Sequence, residues 1–379
     1  MTDSSGENRF ILSEKDLLKL ACMMVLASVF FGLSGLLMMI FLQWITRRSY
    51  AVDAVSKHGI SQVSASRLGG AVIFLFSFIL VVVGYVAGVA ESDTGGPLGI
   101  QLFGWVGAIG CALLGLAEDL KNGSLSPLFR LLSQLLIFTI IVVQWPELIP
   151  ADVGLSLVNF LLSQPVVGGL LTVIFCVGFV NAVNMADGAN GLMPGMMTIA
   201  FTLFYIETGD LLYATLMTSC GLFTIFNVIS GRLFLGDAGA YGLAAALALS
   251  GLYLCNQGMF SAAFLGVLFA YPCIEILFST LRRALQGRSM VLPDNDHLHN
   301  RIHFQYQRLF TSKTLANSMT GCSLTLLFSG MAMLGYLFDW LPVTSNLWAL
   351  VLVGQCLLYS ILFYASGCGR NISQHVAKV

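Results

Sequence analysis

Amide and acid side chains are concentrated just after one long apolar segment, at Asn181, Asn184, Asp187 and Asn190. The Asp-Gly and Asn-Gly pairs in this stretch are strong turn signals, so a turn is one interpretation. A turn does not require Asn181 and Asn184 to lie one helical turn apart, where a buried amide without a partner costs free energy. The pattern therefore favours a site for a polar ligand that needs both hydrogen-bond donors and acceptors.

A single carboxylate, Asp237, lies among glycines in the segment GRLFLGDAG (231–239), which follows Asn227. Glycine lets the backbone approach a ligand closely. An isolated carboxylate beside backbone oxygens suits Mg²⁺, which keeps several of its waters and takes other oxygens from substrate phosphates. The alternative is that Asp237 caps the helix that follows it.

Two adjacent acids, Glu118 and Asp119, end another apolar segment, and Arg130 follows them. Neighbouring side chains on one helix point in different directions. The two acids therefore suit two separate tasks better than joint chelation of one ion.

Imidazole and guanidinium groups occur in the segment PDNDHLHNR (293–301), at His297, His299 and Arg301. Such groups can hold a diphosphate through charge-assisted hydrogen bonds, whereas the spacing lacks the third and fourth ligands of a zinc site. A further basic segment contains Lys57 and the sequence RLGG (67–70). By itself it predicts little, because basic loops beside a membrane commonly contact anionic headgroups.

The elements that must position these residues are membrane helices. The 379-residue chain is 57% hydrophobic and 10% charged, whereas soluble domains carry about 25% charged residues. A membrane helix needs about 20 apolar residues. This rule predicts an all-α polytopic bundle of about eleven transmembrane helices, near residues 18–45, 69–90, 99–117, 127–145, 165–183, 191–207, 211–230, 238–255, 259–281, 315–338 and 346–366. The divisions near 190 and 210 are the weakest, because short polar breaks can also be kinks.

The loops between these helices are asymmetric in charge. Apart from three basic residues before the first span, every Lys and Arg falls on one side, and the opposite loops hold only acids. The basic side is cytoplasmic by the positive-inside rule, which places the N-terminus in the periplasm and the C-terminus in the cytoplasm. We expect one integral membrane catalytic domain (1–379), with cytoplasmic active-site loops near 46–68, 118–130, 184–190, 231–237 and 282–314. The nine cysteines are scattered singly and are interpreted as small residues of the membrane core.

Taken in order, these segments resemble the polyprenyl-phosphate N-acetylhexosamine-1-phosphate transferases. Members of that family start O-antigen, enterobacterial common antigen and teichoic acid synthesis, and one branch makes the first lipid intermediate of peptidoglycan. The resemblance runs from about residue 53 to 301 and is carried by KH with RLGG, ED with SP, R and Q, NAVNMADGANGL, FN with FLGDAGA, and HLHNR. RLGG and the HxHxR arrangement look like the O-antigen and teichoic acid initiators, because the His-rich loop of the peptidoglycan branch is missing.

The resemblance implies transfer of a sugar 1-phosphate, N-acetylglucosamine 1-phosphate being the commonest, from a UDP-N-acetylhexosamine to undecaprenyl phosphate. It also implies Mg²⁺ (with Mn²⁺ as an alternative), membrane lipids around the enzyme, a homodimer, no nucleic acid, and the bacterial inner membrane as location. Asp237 matches a position that holds the metal, and Asp119 one that assists the acceptor or completes the metal site, with Glu118 as a third catalytic residue. The positions implied to bind substrate are Lys57 and Arg130 for the acceptor phosphate, Asn184, Asp187, Asn190 and Asn227 for the nucleotide, Phe234 for stacking on uracil, and His297, His299 and Arg301 for the phosphates or the sugar.

Three residues depart from the family pattern: Glu118 replaces an Asp, Asn300 replaces a His and Ala240 replaces a Ser. Other UDP-N-acetylhexosamines, carrying N-acetylgalactosamine or N-acetylfucosamine, remain alternatives as donors. A transporter or flippase is the alternative from another class, and it should have polar residues near mid-membrane. Glu275 is the nearest such residue. A CDP-alcohol phosphotransferase is disfavoured because its long Asp-Gly motif is absent from the sequence.

Overall fold

A computed structural model describes residues 14–46, 65–88, 98–120, 125–287 and 294–367 of the chain. Within these ranges the regular structure is helical, and one isolated parallel bridge joins Ser66 to Leu233. The helices are α1 (Glu14–Thr46), α2 (Gly69–Val86), α3 (Leu98–Leu120), α4 (Pro127–Gln144), α5 (Ser156–Leu162), α6 (Pro165–Ala186), α7 (Leu192–Thr208), α8 (Leu211–Ser230), α9 (Gly236–Asn256), α10 (Ala262–Leu268), α11 (Ala270–Leu285), α12 (Leu298–Leu309), α13 (Lys313–Leu327), α14 (Ser329–Leu337) and α15 (Trp348–Ala365), with a 3₁₀ turn at Pro146–Leu148.

Each of the eleven predicted segments coincides with one helix or with a bent pair of helices. In the described ranges, six helices are long and apolar enough to cross a membrane, or up to eight if each bent pair is one span. The bent pairs are α10 with α11, at 79°, and α13 with α14, at 48°. The all-α prediction is confirmed for these ranges, whereas eleven crossings and the orientation of the termini stay predictions.

The two weakest divisions are true helix ends. Gly209 follows α7 in the left-handed region, at a φ of 68°, and donates its N–H to the carbonyl of Tyr205. This is a common way to end a helix, because glycine adopts that conformation without a steric cost. Asp210 then caps α8 by accepting the N–H of Leu212 at 2.8 Å. Gly191, which immediately precedes α7, is also in the left-handed region, at a φ of 80°.

The helix α9 lies at the centre of the bundle and packs against α2, α3, α6 and α7. Its side chains are buried almost throughout, and many are alanine or glycine. A Cβ on Gly70 would lie 2.0 Å from the Gly239 nitrogen, and one on Gly115 would lie 2.2 Å from the Asp237 carbonyl oxygen. Small residues let helix backbones approach closely. Gly239 therefore serves helix packing, where the sequence suggested close approach to a ligand.

Candidate functional site

The carboxylate of Asp119, at the end of α3, is buried and caps the first turn of α9. Its two oxygens accept the backbone N–H groups of Asp237 at 3.0 Å and Ala238 at 2.9 Å. The first N–H groups of a helix have no partner within the helix, and its dipole favours a negative charge at that end. Asp237 was a candidate for this cap, but the cap is made by a residue of another helix. The side chain of Asp237 therefore serves some other purpose.

Gly236 makes the close approach of α3 and α9 possible. It has a φ of +73°, which favours glycine. A Cβ at this position would also lie 2.1 Å from the carbonyl oxygen of Arg67 and 2.7 Å from Oδ2 of Asp119. Gly236 thus allows the Arg67 backbone and the Asp119 carboxylate to lie close to the start of α9.

Arg130 lies between two acids of the site, Glu118 and Asp237. Its Nη1 atom lies 3.6 Å from Oε1 of Glu118 and 3.6 Å from Oδ2 of Asp237. Ser126 fixes the start of α4 by accepting the N–H of Phe129, so that Arg130 lies in the first turn of that helix. The side chain of Arg130 remains 24% exposed. It is placed between two carboxylates and is still reachable by an anionic ligand.

Tyr241 is a site residue that the sequence reading missed. Its buried hydroxyl accepts a hydrogen bond from Arg130 at 3.3 Å and another from Nδ2 of Asn184 at 3.4 Å. Tyr241 follows Asp237 by four residues on α9, and residues so spaced share one helix face. That spacing was the available signal. Asn181, by contrast, turns away from Tyr241 and donates to Oε1 of Gln134 at 2.7 Å.

Asp187 lies just after α6 and is half-buried. Burial raises its pKa to about 7, and the negative charges of Asp237 and Asp119 add to the effect. Burial likewise raises the pKa of Asp119 to about 7, partly offset by the two backbone hydrogen bonds. Both acids lie beyond the ends of the predicted spans 99–117 and 165–183. Since the charge of Asp237 raises the pKa of both Asp119 and Asp187, the carboxyl groups of these three acids lie in one region. A bound cation would stabilise their ionised forms.

The acids suit Mg²⁺ only if a substrate supplies further ligands. In the described part of the chain, no group of three His, Cys, Asp or Glu side chains is arranged to hold a metal ion. Mg²⁺ is commonly held by one or two carboxylates together with waters and substrate phosphates. Each oxygen of Asp119 keeps a lone pair beyond its backbone bond. The pair Asp119 and Asp237 therefore fits such a partial site.

Asn190 and Asn227 connect loops of the protein. Asn227 accepts the N–H of Gly191 at 2.6 Å and donates to the carbonyl of Leu233 at 2.7 Å. Asn190 donates its backbone N–H to Oδ1 of Asn317 at 3.3 Å. These contacts hold the segment after α6 against the segment before α9. The implied role of both residues in nucleotide binding stays a prediction.

The segment with the two histidines reaches the same region. His299 is buried, and its Nδ1 lies 3.1 Å from the hydroxyl of Tyr271. A Cβ on Gly188, the residue after Asp187, would lie 2.1 Å from Nε2 of His299. Burial lowers the pKa of His299 to about 4, so the ring is neutral near pH 7. His297 stacks beside it, with the ring centres 5.4 Å apart.

The partners of Arg301 are other residues than Asp119, Asp187 and Asp237. It makes two hydrogen bonds to Asp296, at 2.7 and 2.9 Å, and donates to the carbonyls of Phe363 and Gly367 at 2.8 and 3.0 Å. Its guanidinium carbon lies 3.6 Å from the ring centre of Phe363. These contacts tie the start of α12 to the end of α15. Phosphate binding by Arg301 stays a prediction, and the geometry gives this residue an anchoring role.

Two predicted residues concern the basic segment before α2: Lys57 belongs to it, and Phe234, between α8 and α9, pairs with its end. Lys57 lies outside the described residues. Phe234 is half-buried, donates its N–H to the carbonyl of Ser66 at 2.8 Å and accepts the N–H of Gly69 at 3.1 Å. The RLGG segment therefore runs beside the segment before Asp237. The sequence suggested no such pairing.

Known proteins match the part of the chain that contains this site. Residues 102–255 match the family model described as Glycosyl transferase family 4. A probable undecaprenyl-phosphate N-acetylglucosaminyl 1-phosphate transferase of Bacillus subtilis is 28% identical over 269 residues, which are 66% of this chain and 69% of that protein. A phospho-N-acetylmuramoyl-pentapeptide-transferase of Staphylococcus saprophyticus is 27% identical over 251 residues, 61% of this chain and 74% of that protein. The enzyme of that name from Staphylococcus carnosus is 26% identical over 247 residues, with the same two shares.

Proposed function

Because this chain belongs to the polyprenyl-phosphate hexosamine-1-phosphate transferase family, we propose that it transfers N-acetylglucosamine 1-phosphate from UDP-N-acetylglucosamine to undecaprenyl phosphate. The products are undecaprenyl-diphosphate-N-acetylglucosamine and UMP. One observation supports this proposal most directly: Asp119 caps the helix that carries Asp237, and Arg130 lies beside Asp237. Carboxylates for a metal and a cation for a phosphate thereby meet at one place.

The reaction needs alignment and charge neutralisation more than proton transfer. An oxygen of the acceptor phosphate attacks the β-phosphorus of the UDP-sugar. The bond from that phosphorus to the bridging oxygen breaks, and its electron pair leaves with UMP. The acceptor phosphate is already largely ionised near neutral pH, since its second pKa is about 6. No general base is therefore required.

The side chains of the site take separate parts in this proposal. Asp237 and Asp119 would hold Mg²⁺, which when bound neutralises charge on the donor diphosphate. Arg130 attracts the acceptor phosphate, and Glu118 on its other side holds the guanidinium in place. Tyr241 connects Arg130 to Asn184, so the acceptor side and the nucleotide side are joined by hydrogen bonds.

Which branch of the family this chain represents is part of the proposal. The relatives carry names of two kinds, an N-acetylglucosaminyl 1-phosphate transferase and phospho-N-acetylmuramoyl-pentapeptide-transferases. The RLGG and HLHNR segments support the first kind. The narrower prediction of O-antigen or lipopolysaccharide synthesis has no support from these relatives and stays a prediction. The homodimer and the cytoplasmic face of the inner membrane stay predictions as well.

Transport has no comparable support. Glu275, which the sequence suggested as the acid nearest to mid-membrane, is 1% exposed and accepts the backbone N–H of Leu298 at 3.1 Å. It also lies 3.0 Å from Nδ1 of His297. A residue with these partners holds a loop in place. A transport path would need an exposed polar group.

The test is release of UMP by purified protein in detergent, with undecaprenyl phosphate, Mg²⁺ and a panel of UDP-sugars. We expect UMP from UDP-N-acetylglucosamine, and only when the lipid phosphate is present. Omission of the lipid, and chelation of Mg²⁺ followed by Mn²⁺ addition, are the controls. Release from UDP-N-acetylmuramoyl-pentapeptide alone would move the chain to the other branch. No UMP from any donor would contradict the proposal.

A further inference from the structure

Glu275 holds the histidine segment from inside the bundle. Its Oε1 lies 3.0 Å from Nδ1 of His297, and its Oε2 accepts the backbone N–H of Leu298 at 3.1 Å. Oε2 also lies 3.3 Å from the hydroxyl of Tyr271, one turn earlier on α11. A buried carboxylate is costly unless it is paired. These contacts therefore fix both the carboxylate and the segment that it binds.

The hydroxyl of Tyr271 has one proton and two neighbours that can accept it, Oε2 of Glu275 and Nδ1 of His299. A hydrogen bond to an ionised acceptor is the stronger one, so the proton points to Glu275. The tyrosine oxygen then accepts from His299, and Nδ1 of His299 must carry a proton. A neutral imidazole has one N–H, so Nε2 is left as an acceptor.

Nε2 of His299 is directed at the loop after α6. A Cβ on Gly188 would lie 2.1 Å from this nitrogen. Gly188 lies between Asp187 and Asn190 in the sequence. Among the described residues, the hydrogen bond of His299 is made by Nδ1. Nε2 is thus an acceptor at the edge of the candidate nucleotide site.

We infer that Tyr271 and Glu275 are positioning residues that hold His299 as its Nδ1–H tautomer, so that Nε2 accepts a hydrogen bond from an O–H or N–H group of the UDP-sugar. The identity of this ligand rests on the proposed function. The diphosphate of the UDP-sugar carries no proton near neutral pH, so its oxygens only accept hydrogen bonds, and an unprotonated Nε2 disfavours it as the partner. The resemblance left the phosphates and the sugar open as partners of His299, and this inference excludes the phosphates.

The tautomer can be measured by ¹⁵N NMR on protein labelled at histidine, with His299→Gln to assign the signal. We expect a protonated Nδ1 and an unprotonated Nε2 in the wild type, and a weaker preference in Tyr271→Phe. Tyr213→Phe is the matched control, because it removes a buried tyrosine hydroxyl on α8, away from His299. A wild-type His299 protonated at Nε2 overturns the inference.

Binding is tested on the same samples by adding UDP-N-acetylglucosamine or dimethyl phosphate, a phosphodiester that has no O–H to donate near neutral pH. The Nε2 signal should move with the UDP-sugar and not with dimethyl phosphate; an equal response to dimethyl phosphate overturns the inference. In turnover, loss of one oriented hydrogen bond should raise the KM for the UDP-sugar about tenfold in Tyr271→Phe, with less effect on kcat. A wild type that binds the UDP-sugar through Nε2 but releases no UMP contradicts the proposed function alone.

Discussion

The carboxylate of Asp119 accepts the backbone N–H of Asp237 at 3.0 Å, across 118 positions of sequence. This bond places the end of α3 on the start of α9. It also gives the two acids different surroundings, since Asp119 is fully buried whereas the side chain of Asp237 is 20% exposed beside Arg130. The two residues should therefore respond differently to the same substitution.

Asp119→Asn should reduce both stability and activity. The amide keeps one acceptor but places its NH2 against the second backbone N–H, and these facing donors should cost about 1–2 kcal/mol in the free energy of unfolding. Asp237→Asn should abolish UMP release and change stability by less than about 0.5 kcal/mol. Unfolding in detergent and UMP release on both variants check this. Equal destabilisation by the two substitutions would be inconsistent with the capping role of Asp119.

Gly188→Ala should displace His299. The new Cβ would lie 2.1 Å from Nε2, and the ring cannot simply rotate away because Tyr271 holds its Nδ1. We expect a loss of about 1–3 kcal/mol in stability from overpacking, and a clear loss of UMP release. The control is Gly178→Ala on α6, where a Cβ meets nothing within 4 Å. Wild-type activity in Gly188→Ala would refute the placement of His299.

Arg301→Lys should destabilise the protein even without substrate. Lysine keeps the charge but cannot bond Asp296 at two points while also donating to the carbonyl of Phe363. The expected loss is about 2 kcal/mol in the free energy of unfolding. Arg308→Lys is the control, since Arg308 is exposed and its guanidinium carbon lies 4.6 Å from the ring centre of Phe304. A variant of Arg301 with normal stability and a raised KM would favour phosphate binding instead.

His297 should make stability depend on pH. Burial alone would lower its pKa, but hydrogen bonding and charge from Glu275, with a contribution from Asp294, raise it. Both ring nitrogens face acceptors, Oε1 of Glu275 and the carbonyl of Asp294, as suits a protonated ring. The stabilisation is therefore complete below the ordinary value of about 6.5 and is lost as pH rises through the raised pKa.

The measurement for His297 is the difference in unfolding temperature between wild type and His297→Gln across that pH range. The difference should shrink as pH rises above about 6.5. The comparison must be a difference, because the lowered pKa of His299 acts in the opposite direction as pH falls. A gap that grows with pH would contradict a raised pKa.

The sequence predicted the helices better than the contacts between them. Apolar length and polar breaks were sufficient to place α2, α4 and α8 within a few residues, because those signals are local. The capping of α9 by Asp119 and the contact of Arg301 with Phe363 join distant segments, and no local pattern specifies such a pair. The spacing of Tyr241 from Asp237 was visible in the sequence. It was missed because a tyrosine on an apolar helix is ordinarily a core residue.

In the proposed reaction the β-phosphorus of the donor moves to the lipid together with the sugar. UDP-N-acetylglucosamine labelled with ³²P at the β-phosphate distinguishes this from transfer of the sugar alone. With undecaprenyl phosphate and Mg²⁺, the proposal predicts that the label enters the lipid fraction while unlabelled UMP is released, and that Asp237→Asn prevents both. Label that remains in water as UDP while the sugar enters the lipid would contradict it.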